Sequence, residues 1–400
     1  MPAMPFDPHA PSREDVLARN RRAVALWLIL VAAMVWVMVA LGGATRLTGS
    51  GLSIMEWAPI RGILPPLSEA EWQRLYDLYR TIPQYELVNQ GFGLAGFKGI
   101  FWLEWTHRFW GRMIGLVFAG GLAWFWARGR IPAGLGGRLV LLLALGGLQG
   151  AVGWFMVASG FEADRTAVSP WRLVIHLMLA LVLYAVLVWT ALGLLHPERE
   201  APWGEAPGGE APGGGRALRR LAHATAGLAG LTMLAGGFVA GIKAGFDYNT
   251  FPLMAGQWVP DGYLFLSPAW RNLFENVASV QFNHRLLATL TGLLAIGTAW
   301  YGLSVLPRGT AGARRARWWV GALALATIAQ YALGVAALVN VVPAWLGTLH
   351  QAMAVGVLTA ALGTLHALRR PRGGSGAPRD GRGPVAGQPS AGQPLAGQAM

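Results

Sequence analysis

The chain has 400 residues, of which 54% are hydrophobic and 13% are charged, and it contains no cysteine. These values exclude a disulfide-stabilised secreted domain, a thiolate metal site and an iron–sulfur cluster ligated by the chain itself. The net charge of +13 comes mainly from arginines that stand in loops beside apolar stretches, which indicates membrane topology and argues against a nucleic-acid partner.

Eight apolar stretches of roughly 20 residues, the length that crosses the hydrocarbon core of a bilayer, run through the chain. They predict an all-α integral membrane protein with eight transmembrane helices. The first stretch follows Arg21 and Arg22 without a small-residue cleavage site, which indicates a retained helix rather than a signal peptide. The predicted spans cover residues 24–43, 101–127, 138–158, 171–195, 220–241, 277–305, 318–341 and 344–367.

Lysine and arginine are distributed unevenly between the segments that join these spans. Twenty of the 32 lie at the N-terminus, in the loops 128–138, 196–220 and 308–317, and in the C-terminal tail. The long segment 44–100 holds only five in 57 residues. Because positive residues are retained on the cytoplasmic side, this distribution predicts that both termini lie in the cytoplasm and that segments 44–100 and 242–276 lie outside.

The first outer segment contains one further predicted helix, at residues 67–80. Ser68 and Glu71 have the spacing of a capping box, and the helix is expected to end near Pro83. The apolar positions predict an amphipathic helix that lies over the outer membrane surface. Those positions are Leu67, Trp72, Leu75, Leu78 and Tyr79.

A stretch rich in glycine, proline and glutamate, PEREAPWGEAPGGEAPGGG at 197–215, divides the spans into two sets of four. Repeated AGQP-like units near the C-terminus predict disorder. The predicted organisation is a cytoplasmic arm (1–23), a first four-helix half (24–196) with the outer loop 44–100, a flexible cytoplasmic linker (197–219), a second four-helix half (220–368) and a disordered cytoplasmic tail (369–400).

The two halves resemble each other in sequence. The similar pairs are THRFWGRMIGLVFAGGLAW (106–124) with NHRLLATLTGLLAIGTAW (283–300), LVIHLMLALVLYAVL (173–187) with LGTLHQAMAVGVLTAAL (346–362), and LQGAVG (148–153) with AQYALG (329–334). Their order is the same and their offsets are 177, 174 and 181 residues. Because four spans per repeat give both halves one orientation, we predict two pseudo-symmetric four-helix bundles related by an axis along the membrane normal.

Four histidines lie inside these spans at matching depth: His107, His176, His284 and His350. They stand five to seven residues from the outer ends of their spans, roughly 8–10 Å below the outer surface at 1.5 Å per residue. An ionisable side chain inside a membrane is a functional candidate, although a hydrogen bond to a neighbouring carbonyl is the alternative for each one. Two imidazoles per half favour axial ligation of a haem over a zinc site with three or four ligands.

Cationic residues lie near the outer ends of the same spans, where the propionates of a haem would point. Interfacial snorkelling is the alternative interpretation for each of them. The candidates are Arg46, Arg108, Arg112 and Arg165 in the first half, and Lys243 or Arg285 in the second.

The two halves differ at one position beside the first histidine. Glu104 stands one helical turn before His107, whereas Gln281 stands at the corresponding position before His284. A carboxylate at this place could hold a water, move a proton or stabilise a cationic intermediate, and a salt bridge to Arg108 or Arg112 is the alternative. The difference predicts one reactive site and one electron-carrying site.

Four motifs in the chain resemble those of the heme A synthase family, in its mitochondrial and alphaproteobacterial type. They are TRLTGSGLSIMEWAPIRGILPPLSEAEW (45–72), FKGIFWLEWTHRFWGR (97–112), AGFDYNTFPLMAGQWVP (244–260) and FENVASVQFNHR (274–285), within a resemblance that covers roughly residues 24–368. Some bacterial members carry a cysteine pair in the outer loops. This chain has none, so a mechanism that uses a cysteine disulfide is excluded.

The resemblance implies an oxidoreductase that converts the C8 methyl group of haem O to a formyl group, giving haem A for terminal oxidases. It implies that His107 and His176 bracket the substrate haem O and that Glu104 is essential to the chemistry. It also implies that His284 and His350 ligate a permanent haem b that passes electrons. The expected partners are membrane lipid, a redox partner and the haem O synthase, and the sequence leaves open whether the chain forms a homo-oligomer.

The main alternative is a membrane cytochrome that passes electrons from quinol through two bis-histidine haems. It explains the four histidines equally well, but it explains neither Glu104 opposite Gln281 nor the 244–260 motif. The prenyltransferase that makes haem O is disfavoured, because the chain has no aspartate-rich motif for magnesium diphosphate. The sequence does not identify the electron acceptor or the source of the formyl oxygen, nor whether one or both histidines ligate the substrate iron.

Overall fold

The computed structural model describes residues 12–197, 202–203 and 213–369, and this part of the chain is helical with no strand. The prediction of an all-α protein is therefore confirmed. The helices are α1 (Arg13–Leu47), α2 (Glu69–Tyr79), α3 (Pro83–Leu87), α4 (Gly93–Ala127), α5 (Gly136–Ala158), α6 (Pro170–Leu195), α7 (Gly213–Gly241), α8 (Val277–Val305), α9 (Ala311–Val339) and α10 (Ala344–Ala367).

Seven helices of the described chain, α1 and α5 to α10, are long and apolar enough to cross a membrane, which confirms the class of integral membrane protein. The remaining predicted span, 101–127, lies inside α4, a helix of 35 residues. This helix is not among the seven because its first half carries charged side chains, which lower its hydropathy. They are Lys98, Glu104, Arg108 and Arg112. The total of eight spans therefore stays a prediction.

Four helices, α1, α4, α7 and α9, begin seven or more residues before the predicted spans. α1 begins at Arg13, because the Ser12 hydroxyl accepts from the Asp15 backbone N–H at 3.2 Å and the Asp15 carboxylate accepts from the Ser12 N–H. α7 begins at Gly213, so residues 213–219 of the predicted linker are helical. Outside the described residues lie the start of the predicted arm (1–11), most of the linker (198–201 and 204–212) and the predicted disordered tail from residue 370.

The predicted outer helix is confirmed as α2. The Ser68 hydroxyl caps it by accepting from the Glu71 N–H at 3.2 Å. Trp72, Tyr76 and Tyr79 form its buried face, and Trp72 packs edge-on against Phe101 of α4, with 4.8 Å between ring centroids. The expected apolar face was wrong at Leu67, which precedes the helix and is 82% exposed. Through these aromatic contacts α2 covers the outer end of α4.

The long helices pack as two connected groups. α1 packs on α4 and α6, and α5 packs on α6, while α7, α8, α9 and α10 pack in succession. The groups meet where α1 lies against α10 and α6 lies against α7 and α10. Trp36 of α1 donates to the carbonyl of Ala352 in α10 at 2.7 Å, and Tyr184 of α6 bonds Thr359 of α10 at 2.7 Å. The contact of α1 with α10 and that of α6 with α7 are expected as a pair in a duplicated protein. The pseudo-symmetry itself stays a prediction.

Candidate functional site

The four predicted histidines lie on α4, α6, α8 and α10, one on each helix. They fall into two pairs: His107 lies near enough to His176, and His284 near enough to His350, for the charge of one imidazole to act on the other. No group of three or more histidine, aspartate or glutamate side chains converges as a metal site within the described residues. The donor set in each half is therefore a pair of imidazoles, which fits axial ligation of a haem and does not fit a zinc centre.

The hydrogen bonding of His284 leaves one ring nitrogen for a metal. Its Nδ1 lies 3.2 Å from the carbonyl oxygen of Thr232 in α7. A carbonyl only accepts, so Nδ1 carries the proton and Nε2 keeps its lone pair. Metal-ligating histidines commonly have this arrangement, in which the second nitrogen is oriented by a backbone carbonyl.

Glu104 is held by four hydrogen bonds and is 2% exposed. One carboxylate oxygen accepts from the Ser53 hydroxyl at 2.7 Å and from the Ile54 backbone N–H at 2.8 Å. The other accepts from Arg108 Nη2 at 2.6 Å and from Arg108 Nε at 3.0 Å. The salt bridge to Arg108, which was the alternative to a chemical role, is thus present, and the chemical role of Glu104 stays a prediction.

Gln281 occupies the corresponding place in the second half and is also 2% exposed. Its amide nitrogen donates to the carbonyls of Ala244 at 2.6 Å and Asp247 at 2.5 Å. Its amide oxygen accepts from Arg285 Nη2 at 2.9 Å. Both side chains therefore join an arginine to an outer loop, but the carboxylate accepts from the loop where the amide donates to it.

The three arginines beside the histidines hold the outer loops on α4 and α8. Arg108 donates to the carbonyls of Ile54 and Glu56, and Arg112 donates to those of Ala58 and Pro59 at 2.9 Å. Arg285 donates to the carbonyls of Tyr248 and Thr250. Among these three arginines, two buried nitrogens have no hydrogen-bond partner within the described chain, Arg112 Nη1 and Arg285 Nε. By contrast, each of the three guanidinium nitrogens of Arg108 forms at least one hydrogen bond.

Arg46 and Lys243 bring two cations together where the halves meet. Arg46 Nη2 donates to the carbonyls of Ala240 at 2.9 Å and Gly241 at 3.2 Å, at the C-terminal end of α7. Burial, together with the charge of Arg46, lowers the pKa of Lys243 below its ordinary value. Neither cation forms a salt bridge within the described residues, whereas Arg165 pairs with Glu162 at 2.7 Å. An anion at this place would relieve the repulsion.

Sequence reasoning missed several polar side chains of the site. Gln149 Nε2 lies 3.2 Å from His176 Nδ1, and Gln330 Nε2 lies 3.3 Å from His350 Nε2. The repeated LQGAVG and AQYALG sequences contain both glutamines and could have identified them. Ser53 carried no such signal, because it lies in an irregular loop 51 residues before Glu104.

Comparisons with known proteins identify relatives that match most of the chain. Residues 25–362, which include Glu104 and all four histidines, match the model of a family described as cytochrome oxidase assembly protein. The chain is 57% identical over 351 residues to heme A synthase of Granulibacter bethesdensis, with 88% of each chain covered. It is 47% identical over 350 residues to that of Rhodospirillum centenum (88% of this chain, 89% of the relative). It is 46% identical over 354 residues to that of Parvibaculum lavamentivorans (88% and 96%).

Proposed function

The chain belongs to the heme A synthase family, and we propose that it oxidises the C8 methyl group of haem O to the formyl group of haem A, for use by terminal oxidases. The family supports the substrate and product. The observation that carries the assignment within the chain is the buried carboxylate of Glu104 beside one histidine pair, where the other pair has the amide of Gln281. At these corresponding positions of the described chain, the first half thus has a carboxylate that can accept a proton, and the second half has an amide that cannot.

We assign haem O, the substrate, to His107 and His176, and haem b, the resident cofactor, to His284 and His350. The packing supports this division. Hydroxyl pairs join the helices of the second half: Thr225 with Thr298, Thr232 with Thr291, and Thr289 with Tyr331. The backbones of α4 and α5 approach each other along less of their length than those of α8 and α9. A tightly joined bundle suits a cofactor that stays, whereas a looser one suits a substrate that exchanges.

Haem held by His284 and His350 would supply redox chemistry, by carrying to an external electron acceptor the two electrons that each hydroxylation by water releases. The proposed reaction is two successive hydroxylations of one methyl group followed by loss of water from the geminal diol. The role of Glu104 is to take a proton from the water that supplies a hydroxyl group. Ser53 can stay hydrogen-bonded to Glu104 after the carboxyl group is protonated, because the Ser53 hydroxyl also lies 3.5 Å from the Ile100 carbonyl. It can turn to donate there and accept from the protonated carboxyl group.

The cations of the site are assigned to haem propionates according to the donors that remain open. Arg46 and Lys243 lie at the junction of the halves without an acidic partner in the described chain, and Arg46 Nε is buried and unbonded there. Arg112 and Arg285 each have one open buried nitrogen. Arg108 is assigned a different role, which is to hold Glu104 and the outer loop.

The test is haem extraction, chromatography and mass analysis after co-expression with a source of haem O. We expect haem A with the wild-type chain, no haem A but retained haem b with Glu104→Ala, and loss of haem b with His284→Ala. A wild-type sample with only haem b and a reversible redox spectrum would refute the synthase and favour the electron-transfer cytochrome. Membrane fractionation with reporter fusions at both ends tests the inner-membrane location and the cytoplasmic termini.

A further inference from the structure

Helix α5 of the first half and helix α9 of the second correspond in register. A Cβ built on Gly153 of α5 would lie 2.9 Å from His176 Cε1, and one built on Gly334 of α9 would lie 2.8 Å from His350 Cε1. The two glycines therefore occupy equivalent places. They lie 181 residues apart, which is the offset of the LQGAVG and AQYALG sequences, so other positions of α5 and α9 can be compared through this offset.

Three glycines of α5 correspond to residues with side chains in α9. They are Gly146, Gly147 and Gly150, and the equivalent residues are Thr327, Ile328 and Tyr331. Tyr331 reaches α8, where its hydroxyl bonds that of Thr289 at 2.9 Å. Gly150 has no side chain that could reach α4 in the same way. The second half therefore has a link between two of its helices that the first half lacks at this position.

The three glycines of α5 do not serve close packing. Glycine in a membrane helix usually allows two helix backbones to approach closely. Outside the backbone of α5 itself, however, no atom of the described chain lies within 4 Å of a Cβ built on any of the three. Among the seven apolar helices, α5 is also the least buried: 6% of its most apolar 18-residue stretch is buried, against 17% for α9. The missing side chains therefore leave open space.

Helices α4 and α5 contact each other near both ends of the pair. At the outer end, the Arg108 guanidinium lies over the Trp154 ring, 5.8 Å from its centroid. At the opposite end, a Cβ built on Gly136 would be in ordinary contact with the Trp126 ring, at 3.6 Å. Both contacts are formed by side chains on the facing sides of the two helices, so they show which side of each helix meets the other.

Between these contacts, glycine lies on the facing side of both helices. Gly147 and Gly150 stand seven and four residues before Trp154, which places them on the side of α5 that meets α4. Gly115 stands seven residues after Arg108 on the corresponding side of α4, and it too has no atom within 4 Å of a built Cβ. We call the gap lined by Gly115, Gly147 and Gly150 the side opening.

We propose that haem O passes from the bilayer into the first half through the side opening, an inference that rests on the proposed function. The opening lies beside the histidine pair that is assigned to the substrate. α4 carries His107, while Gly153, three residues after Gly150 on α5, contacts His176. Haem O carries the prenyl chain that its synthase attaches, and entry from the side keeps this chain out of water. Tyr331 occupies the equivalent place in the second half, which suits a haem that stays.

The test measures how fast haem O enters and leaves the full chain in lipid nanodiscs. The chain is prepared without a source of haem O, vesicles that contain haem O serve as donor, empty vesicles serve as acceptor, and haem absorbance is followed. Gly150→Leu narrows the opening without a clash, because the space around Gly150 is empty. We expect slower uptake and slower release with unchanged equilibrium occupancy and Tm, because a barrier to passage slows both directions equally.

Gly120→Leu is the matched control. Gly120 lies on the same helix as Gly115 and also has open space around a built Cβ, but it stands one turn after Leu116, which is 63% exposed and lies on another side of α4. Uptake and release in this variant should equal those of the wild type. Gly147→Leu repeats the test at a second position of the opening, so the result does not depend on the folding of one variant.

The possible outcomes separate the entrance from the reaction. Wild-type rates in both Gly150→Leu and Gly147→Leu would overturn the proposal, as would equal slowing in Gly120→Leu. Slower uptake with unchanged release would also overturn it, because that is a loss of affinity and would place the glycines in the binding site. A wild-type chain that takes up haem O but forms no haem A would refute the proposed function, and the rates would still decide the side opening. A wild-type chain that takes up no haem O would refute both.

Discussion

Replacing Glu104 with glutamine tests how much of its role is structural. The carboxylate accepts from three groups, the Ser53 hydroxyl, the Ile54 N–H and the guanidinium of Arg108. An amide has one oxygen and one nitrogen, so either orientation of the new side chain places its N–H₂ against a donor. In one orientation the amide nitrogen faces the Ile54 N–H, and in the other it faces Arg108. The variant therefore loses hydrogen bonds even though its volume is unchanged.

The size of the effect follows from the burial of the pair. The side chains of Arg108 and Glu104 are 18% and 3% exposed, so solvent screens them little. Removing one partner of a buried ion pair costs about 3–5 kcal/mol. Arg108 keeps the carbonyls of Ile54 and Glu56, which reduces the expected cost to about 2–3 kcal/mol. For a chain of this length the unfolding entropy gives about 1–2 °C per kcal/mol, so the Tm should fall by roughly 2–6 °C.

The assay is thermal unfolding in detergent followed by tryptophan fluorescence, with proteolysis of the outer loop as a second measurement. Glu69→Gln is the matched control, because Glu69 pairs with Lys98 while 79% exposed and should contribute little. We expect the Glu104 variant to melt earlier and to be cut faster within residues 54–63. An unchanged Tm and cleavage rate, with haem A lost, would show that Glu104 does not hold the loop and that its role is chemical only.

Two further predictions concern the outer loop and the second half. Hydrogen bonds from Arg74 lower the pKa values of Glu56 and Glu71, so their contribution is present above the ordinary glutamate pKa of about 4.3 and is lost as the pH falls through the lowered values. The protection of residues 54–63 against hydrogen exchange, corrected for the intrinsic pH dependence of the exchange rate, should therefore fall only below about pH 4, and a fall in protection between pH 5 and 8 would contradict this. Thr225→Val should lower the free energy of unfolding by about 1 kcal/mol, because the Thr225 and Thr298 hydroxyls bond each other at 2.9 Å. Adding Thr298→Val should then lower it by less than a second such amount. Strictly additive Tm decreases would exclude this coupling.

The features that sequence predicted well are those that depend on local pattern. The Ser68 and Glu71 cap of α2 is a short-range motif, and the structure contains it. The histidines stood out because an ionisable residue in an apolar helix is rare. The start of α4 at Gly93 was not predicted, because Lys98 and the residues around it do not read as an apolar span even though they continue the helix.

The partners of the charged residues could not be predicted from sequence. Arg108 and Arg285 were predicted as candidates to face haem propionates, which stays a prediction. The structure adds that both donate to backbone carbonyls of loops 35 to 54 residues earlier in the chain. A cation shows that an anion or a carbonyl is needed, but not which one the fold supplies. The contact of Gly334 with His350 was hidden for a similar reason, because it depends on the rotation of α9 about its axis.

The loop contacts differ together with the side chain. The loop donates hydrogen bonds to Glu104 in the first half, and it accepts them from Gln281 in the second. A glutamate at 281 would face the carbonyl oxygens of Ala244 and Asp247, which now accept from the amide, and only Arg285 would stabilise it. We therefore expect that the swap variant Glu104→Gln with Gln281→Glu neither restores haem A nor recovers the Tm, as measured by extraction and by unfolding. Restored haem A would show that the carboxylate alone distinguishes the halves, and that the reversed loop contacts do not matter for the reaction.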